Sequence, residues 1–358
     1  YPFPEDGYKG QDIIDLAKNY REEFGDLLRD SEKHKREQTL MDYALKINIT
    51  NMKNDLEKYG IVYDIWFSES TLHNGTAIKD IIQLLQKNGA TYEQDGALWF
   101  KATDYDCEKD EVLLRANGIP TYYTADIAYH YNKLVVRGFD MAVNVWGADH
   151  HGHVHRLKMA LRAAGMNPES LKVVLMQMVC LMRDGEPVRL SKRNGEIVTL
   201  RDLIDEVSVD AARFIFNYNN ATTHMNFDMD LAVKESNENP VLNVQYAHAR
   251  ISSIIRNITV DEKEYDLRLL TDKTEIALMK KLADFSKEIT LAAKDYDPSR
   301  ITKYAYDLAT HFHSFYNACR VKTEDENLMG ARLTLVKACG IVLRNTLNIL
   351  GVSAPEKM

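Results

Sequence analysis

Met141-Ala142-Val143-Asn144-Val145-Trp146 and Leu171-Lys172-Val173-Val174-Leu175-Met176 are two short apolar runs, and between them Val154–Ala164 has helical spacing and closes at Gly165. Strand, helix and strand at this distance predict a βαβ unit, so the sheet is expected to be parallel and covered on both faces. Ligands of such sheets gather outside the carboxyl ends of the strands.

Upstream, the first 60 residues read as helix, with Ile13, Leu16, Ala17, Phe24, Leu27 and Leu28 at helical intervals among many charges. Ile61-Val62-Tyr63-Asp64-Ile65-Trp66-Phe67 is β-branched and aromatic and predicts a strand. Thr76–Gln86 predicts a helix stopped at Asn88-Gly89. Ala97–Ala102 and Glu111–Arg115 predict a two-stranded excursion around an acidic turn.

Downstream of about Asp202 the strand signal vanishes. Ile276, Met279, Leu282, Phe285, Ile289 and Ala292 form one stripe, Tyr304, Leu308, Phe312 and Phe315 a second, and Leu333, Val336, Gly340, Leu343, Leu347 and Leu350 a third. These predict a helical bundle. The fold class is therefore α/β followed by all-α, with the boundary in the loop-rich residues 219–240.

The chain has 358 residues, 45% hydrophobic and 27% charged, beyond the size of one compact core. No apolar run reaches the ~18–20 residues of a membrane span, and no secretory signal opens the sequence. It begins Tyr1-Pro2-Phe3 without Met, so a longer parent protein is expected. Cys107, Cys180, Cys319 and Cys339 are far apart, which fits reduced thiols better than a zinc knuckle or disulfide framework. The net charge of −8 argues against bulk nucleic-acid binding, but residues 241–358 carry 17 Lys/Arg against 15 Asp/Glu. A local nucleic-acid surface stays open.

Gly185-Glu186-Pro187-Val188-Arg189-Leu190-Ser191-Lys192-Arg193-Asn194-Gly195 holds three cations within five residues, just before a helix start at Thr199–Asp202. By composition it is either a polyphosphate-binding loop or a solvated basic turn. Arg189-Leu190-Ser191-Lys192-Arg193 resembles the K-M-S-K-S signature of class I aminoacyl-tRNA synthetases. Trp146-Gly147-Ala148-Asp149-His150-His151-Gly152, Gln177-Met178-Val179, Thr199-Leu200-Arg201-Asp202-Leu203, Asp210-Ala211-Ala212-Arg213-Phe214, Tyr246-Ala247-His248-Ala249-Arg250 and Ala354-Pro355-Glu356-Lys357-Met358 follow in the order found in arginyl-tRNA synthetases. The resemblance spans essentially the whole chain.

That resemblance implies a partial Rossmann-type catalytic domain over residues 1–200, a tRNA-stem-contacting linker over 201–238 and an anticodon-binding helical domain over 239–358. It implies that ATP and L-arginine, with Mg2+ carried by the nucleotide, give arginyl-adenylate, and that tRNA(Arg) then takes the arginyl group. Lys192 would stabilise the phosphate under attack, helped by Arg189, Ser191 and Arg193. A preorganised donor at such a charge is typically worth ~10²–10³ in rate. Met178 and Val179 would sit against ATP.

A planar cation needs carboxylates arranged for paired hydrogen bonds. The resemblance maps that clamp onto Glu69 and Asp126, with Tyr122, Asp149 and His150 lining the same pocket. Tyr122, four residues before Asp126, shares its face if Tyr122–Tyr131 is helical. Without the family, the two acids read more simply as a helix N-cap and a surface aspartate.

His150-His151-Gly152-His153-Val154-His155 invites a metal, yet no H-E-x-x-H pattern and no cysteines accompany it, so none is expected. His150–His153 also satisfies H-x-G-H, the other class I signature. That motif belongs after the first strand of the fold, whereas here only 37 residues separate His153 from Ser191. The chain is thus expected to be a carboxyl-terminal fragment without the true motif and inactive alone. The alternatives carried are a non-catalytic tRNA-binding module and, more remotely, a metal-dependent hydrolase.

In the helical half, Tyr246, Arg250, Tyr316, Arg320 and Met358 are the expected tRNA contacts. Tyr316 and Arg320 are read as an i, i+4 helical pair able to stack and hydrogen-bond unpaired bases, whereas Phe312 and Phe315 are read as core. The resemblance implies a cytoplasmic, monomeric enzyme with no membrane partner.

Overall fold

The computed structural model describes residues 10–188, 198–236 and 238–358. They form two compact units. The strand unit gathers residues 63–178 and 221–225; the helical unit gathers the described residues up to 62, those of 179–220 and those of 226–358.

The helical unit opens with α1 (Gln11–Phe24) and α2 (Lys33–Lys58), paired through an aromatic cluster of Tyr20, Phe24 and Tyr43. The strand unit follows. Residues 61–67 form no strand: Val62, Tyr63 and Ile65 are exposed, and no described strand pairs with them. β-Branched residues favour a pleated surface only when a neighbouring strand supplies one, so the local signal had nothing to act on.

After the short α3 (Ser70–Asn74) and α4 (Ala77–Lys87) comes an antiparallel sheet of β1 (Thr91–Gln94), β2 (Ala97–Phe100) and β3 (Glu111–Leu114). The expected two strands are three. The β1–β2 link is Asp95-Gly96, both at positive φ, the backbone a tight hairpin requires. α5 (Tyr122–Tyr131) then leads to β4 (Ala142–Gly147), α6 (His151–Ala163) and β5 (Leu171–Met176). β4 and β5 pair in parallel from Ala142↔Leu171 to Gly147↔Met176, the anticipated βαβ unit.

Both faces were expected to be covered, but among the described residues the β4 pleat is lopsided: Ala142 and Asn144 are buried, whereas Val143 and Val145 are exposed. On the covered side, Ile81, Leu85, Phe100, Leu113, Ile127, Leu157, Leu161 and Leu171 form the core. Each such side chain contributes roughly 1.5–3 kcal/mol on burial.

Back in the helical unit, β6 (Val179–Arg183) and β7 (Glu186–Pro187) form a hairpin across Asp184-Gly185. α7 (Leu200–Val207) starts with a reciprocal capping box between Thr199 and Asp202, and α8 (Val209–Phe216) follows. β8 (Met225–Asp228) joins β6, a strand that the apparent end of strand signal at Asp202 had hidden. α9 (Met229–Val233) precedes the bundle of α10 (Pro240–Asn257), α11 (Lys273–Ala283), α12 (Phe285–Asp295), α13 (Ser299–Ala318) and α14 (Glu326–Leu350).

The second and third stripes are core, with Tyr304, Leu308, Phe312, Phe315, Leu343 and Leu347 almost fully buried. The first is not one stripe: the chain breaks at Asp284 and Ile276 is exposed, while Leu278 and Glu275 face inward. Buried Glu275 is matched by Arg332, whose Nε donates to it at 2.7 Å. α14 is also apolar and long enough by composition to cross a membrane, contrary to the expectation of no such run, but its buried residues recur along the whole helix as one wall of the bundle.

Candidate functional site

The parallel pair β4–β5 sets the site in the strand unit. β4 ends at Gly147, and a short 3₁₀ turn (Ala148–His150) carries Asp149 and His150 straight off the strand. A side chain at 147 would come within 2.5 Å of the Asp149 carboxylate, so glycine there leaves room for that acid. Asp149 and His150 are exposed and lie 3.8 Å apart, and the His150 ring meets the edge of Trp146. β5 ends at Met176; the Gln177 N–H donates to the Ala221 carbonyl, and Met178 is 77% exposed. Val179 begins β6 in the other unit.

Asp126 sits in the middle of α5. Its Oδ2 accepts a 2.7 Å hydrogen bond from His153 Nε2 in the first turn of α6. A carboxylate has only lone pairs to offer, so the proton lies on that nitrogen. The Asp126 side chain stays 41% exposed and its histidine partner 17%. The backbone of Asp126 is tied as well. Its carbonyl accepts from His130 Nδ1 at 2.7 Å, His130 Nε2 accepts from Asn144 Nδ2 at 2.7 Å, and Asn144 Oδ1 accepts from Lys133 Nζ at 3.0 Å. Burial, reinforced by the Lys133 charge, pushes the His130 pKa down to about 4, so this relay holds a neutral imidazole.

Glu69 occupies the N-cap position of α3 but makes no capping bond; its Oε1 lies 3.4 Å from His73 Nε2, and the side chain is exposed. α3 packs on α5. Phe67, two residues before Glu69, stacks on Tyr129, three residues after Asp126, with ring centroids 4.4 Å apart. Both acids therefore belong to segments fastened to one helix. Tyr122, the first residue of that helix, is 82% exposed.

Arg189, Ser191, Lys192 and Arg193 lie outside the described residues. Among the described residues, no group of three or more His, Cys, Asp or Glu side chains is arranged to hold a metal. His153 was the residue missed by sequence reasoning. It was read as one member of a histidine cluster, when only the pairing of α5 with α6 singles it out.

A second site lies in the bundle. Tyr246, Arg250, Tyr316, Arg320 and Met358 line one groove of about 1020 Å³ with Arg256, Lys322 and Lys357. The Arg250 guanidinium lies 4.6 Å from the Tyr246 ring centre and 4.7 Å from that of Tyr316. It also hydrogen-bonds the Tyr246 hydroxyl. The expected Tyr316–Arg320 helical pair does not form: α13 ends at Ala318, Arg320 lies past it, and Arg250 from α10 covers Tyr316 instead. His248, on the other face of α10, is buried and bonded to the Pro355 carbonyl at 2.9 Å. Arg256 pairs with Glu356, which fixes the chain end along the groove.

A parallel βαβ unit and a helical bundle with a cationic aromatic groove are the parts of a class I aminoacyl-tRNA synthetase. Residues 11–252 match the model described as tRNA synthetases class I (R), catalytic domain, and residues 244–358 match the DALR anticodon binding domain. The chain belongs to the arginyl-tRNA synthetase family. It is 54% identical over 361 residues to the arginine–tRNA ligase of Caldanaerobacter subterraneus subsp. tengcongensis and 50% identical over 362 residues to that of Acetivibrio thermocellus. Each alignment covers 99% of this chain and 64% of the relative, so the chain spans just under two-thirds of their length. A Campylobacter jejuni structure assigned as an arginyl-tRNA synthetase superposes with a TM-score of 0.89 at 32% identity, over 100% of this chain and 78% of that one.

Proposed function

We propose that the protein containing this chain is an arginine–tRNA ligase that makes arginyl-adenylate from L-arginine and ATP and transfers the arginyl group to tRNA(Arg). The observation that carries the reading is Asp126: a carboxylate held on one side by His153, still open on the other, beside the carboxyl ends of a parallel strand pair. Family membership supplies the reaction class. The family's acidic clamp, mapped onto Glu69 and Asp126, supplies the substrate.

In this reading Glu69 and Asp126 take the guanidinium, each charged hydrogen bond contributing roughly 1.5–3 kcal/mol. Tyr122, Asp149 and His150 line the amino-acid pocket, Met178 and Val179 border ATP, and Lys192, with Arg189, Ser191 and Arg193, meets its phosphates. Mg2+ accompanies the triphosphate and has no protein site of its own. Residues 201–238 contact the tRNA stem, and the groove of Tyr246, Arg250, Tyr316, Arg320 and Met358 takes anticodon bases. The four cysteines are free thiols, as suits a cytoplasmic enzyme, here acting as a monomer without a membrane partner.

The chain's one H-x-G-H match, His150–His153, is engaged elsewhere, His153 with Asp126 and His150 against Trp146. The 358 residues alone are therefore expected to give no useful turnover. The test is ATP–pyrophosphate exchange with cognate tRNA present. The full-length protein should respond to arginine and not to citrulline or lysine, and the isolated chain should stay near background. Exchange driven equally by lysine would overturn the guanidinium assignment.

A further inference from the structure

Asp126 faces a physical difficulty that the arginine reading leaves open. An aspartate on an exposed helix face samples several rotamers, and binding a fork-shaped cation requires one of them. The ordering has to be lost again at each encounter unless the protein supplies it beforehand. His153 supplies it. Its Nε2 donates to Oδ2 at 2.7 Å, which leaves Oδ1 and the remaining lone pair of Oδ2 for a guanidinium.

The imidazole is itself confined. Its ring lies 5.5 Å from Trp146 and 5.8 Å from Tyr123, centre to centre. Tyr123 is locked in turn, since its hydroxyl donates to the Arg156 carbonyl at 2.7 Å, and Arg156 is anchored to Glu111 at 2.5 Å. The chain of restraint therefore runs from β3 and α6 into a single carboxylate oxygen.

We infer that His153 is a positioning residue for amino-acid recognition: it presets the Asp126 carboxylate for a guanidinium and so acts on arginine affinity rather than on the phosphate chemistry. The inference rests on the arginine-ligase reading above.

Steady-state ATP–pyrophosphate exchange on the full-length protein tests it. His153→Phe keeps an aromatic ring of similar size but removes the donor. KM for arginine should rise ~5–20-fold, with kcat changed less than about twofold and KM for ATP unchanged. His153→Gln, whose side-chain amide can donate toward Asp126, should recover most of the loss. Equal impairment in both variants, or a rise in KM for ATP as large as that for arginine, would mean a packing role only and overturn the inference. Asp126→Asn separates the two levels. If it leaves KM for arginine unchanged, the guanidinium assignment itself falls. If it raises KM while His153→Phe does not, only the positioning role falls. Should His153→Phe fail to fold by circular dichroism, His153→Leu and His153→Gln form the same donor-less and donor-bearing pair.

Discussion

The two candidate ligand surfaces are made by different means. In the strand unit, the recognition groups are acids on short helices, and their aim rests on single hydrogen bonds: His153 from the next helix holds the Asp126 carboxylate, while His130 of the same helix holds the Asp126 backbone carbonyl. In the helical unit, the groove is walled by long helices, and its central cation is held between two aromatic rings, Arg250 between Tyr246 and Tyr316. Directional bonds suit a small, rigid ligand with a fixed fork. Flat rings suit bases, which every sequence offers as a π face. The difference teaches that lesions in the first surface should alter chemistry and amino-acid affinity, and lesions in the second should alter tRNA affinity alone.

The largest effect should come from Lys192. Its case rests on its motif, and Lys192→Ala should slow adenylate formation by ~10²–10³ while arginine affinity, measured by calorimetry, stays within about twofold. A rate within tenfold of the parent would break the division of labour proposed for the catalytic half.

A second prediction concerns pH. The His130 pKa is held down to about 4 by burial and the nearby Lys133 charge, against an ordinary value near 6.5. Between these values the unfolded chain binds a proton that the folded one refuses. The relay's contribution to stability is therefore complete above about pH 6.5 and is lost as pH falls toward 4, by roughly 3 kcal/mol at the limit. Urea unfolding followed by tryptophan fluorescence should show this slope, and His130→Gln should flatten it. The bundle offers a contrast: His313, half-buried and with its pKa lowered by burial, stacks on Tyr246 and meets the Asn243 carbonyl, so it joins two helices rather than a helix and a strand. An identical slope in His130→Gln would show that the relay is not the pH-sensitive element.

How much of this was legible in the sequence follows the same contrast. Helical stripes and the βαβ unit are periodic over many residues, so α6, α13, α14, β4 and β5 could be read directly. Residues 61–67 have strand propensity but join no strand among the described residues, and β8 is a four-residue strand that pairs with β6, so local signals misled in opposite directions. The Asp184-Gly185 hairpin carries its turn signal in the sequence, two residues suited to positive φ between short strands. At the sites, the acids were found through family motifs, but His153 was visible only once α5 and α6 were packed. Arg250 and Tyr316 were each singled out, yet their pairing joins residues 66 positions apart, and helical spacing pointed Tyr316 to Arg320 instead.

The smallest effect is the one that tests that last correction. Tyr316 is 37% exposed, with Phe312 beneath it and Arg250 above, so one face of its ring is already in use. If anticodon bases stack in the groove, Tyr316→Ala removes a platform and also frees Arg250, and cognate tRNA should bind with a loss of about 1–3 kcal/mol. Arg320→Ala, which leaves the Tyr246–Arg250–Tyr316 arrangement intact, should weaken binding by less and mostly at low salt, as expected for a phosphate contact. Filter-binding titrations at two salt concentrations separate the cases. Should Arg320→Ala prove as damaging as Tyr316→Ala at high salt, the groove would be reading charge rather than offering rings, and the distinction between the two surfaces would narrow to one of position.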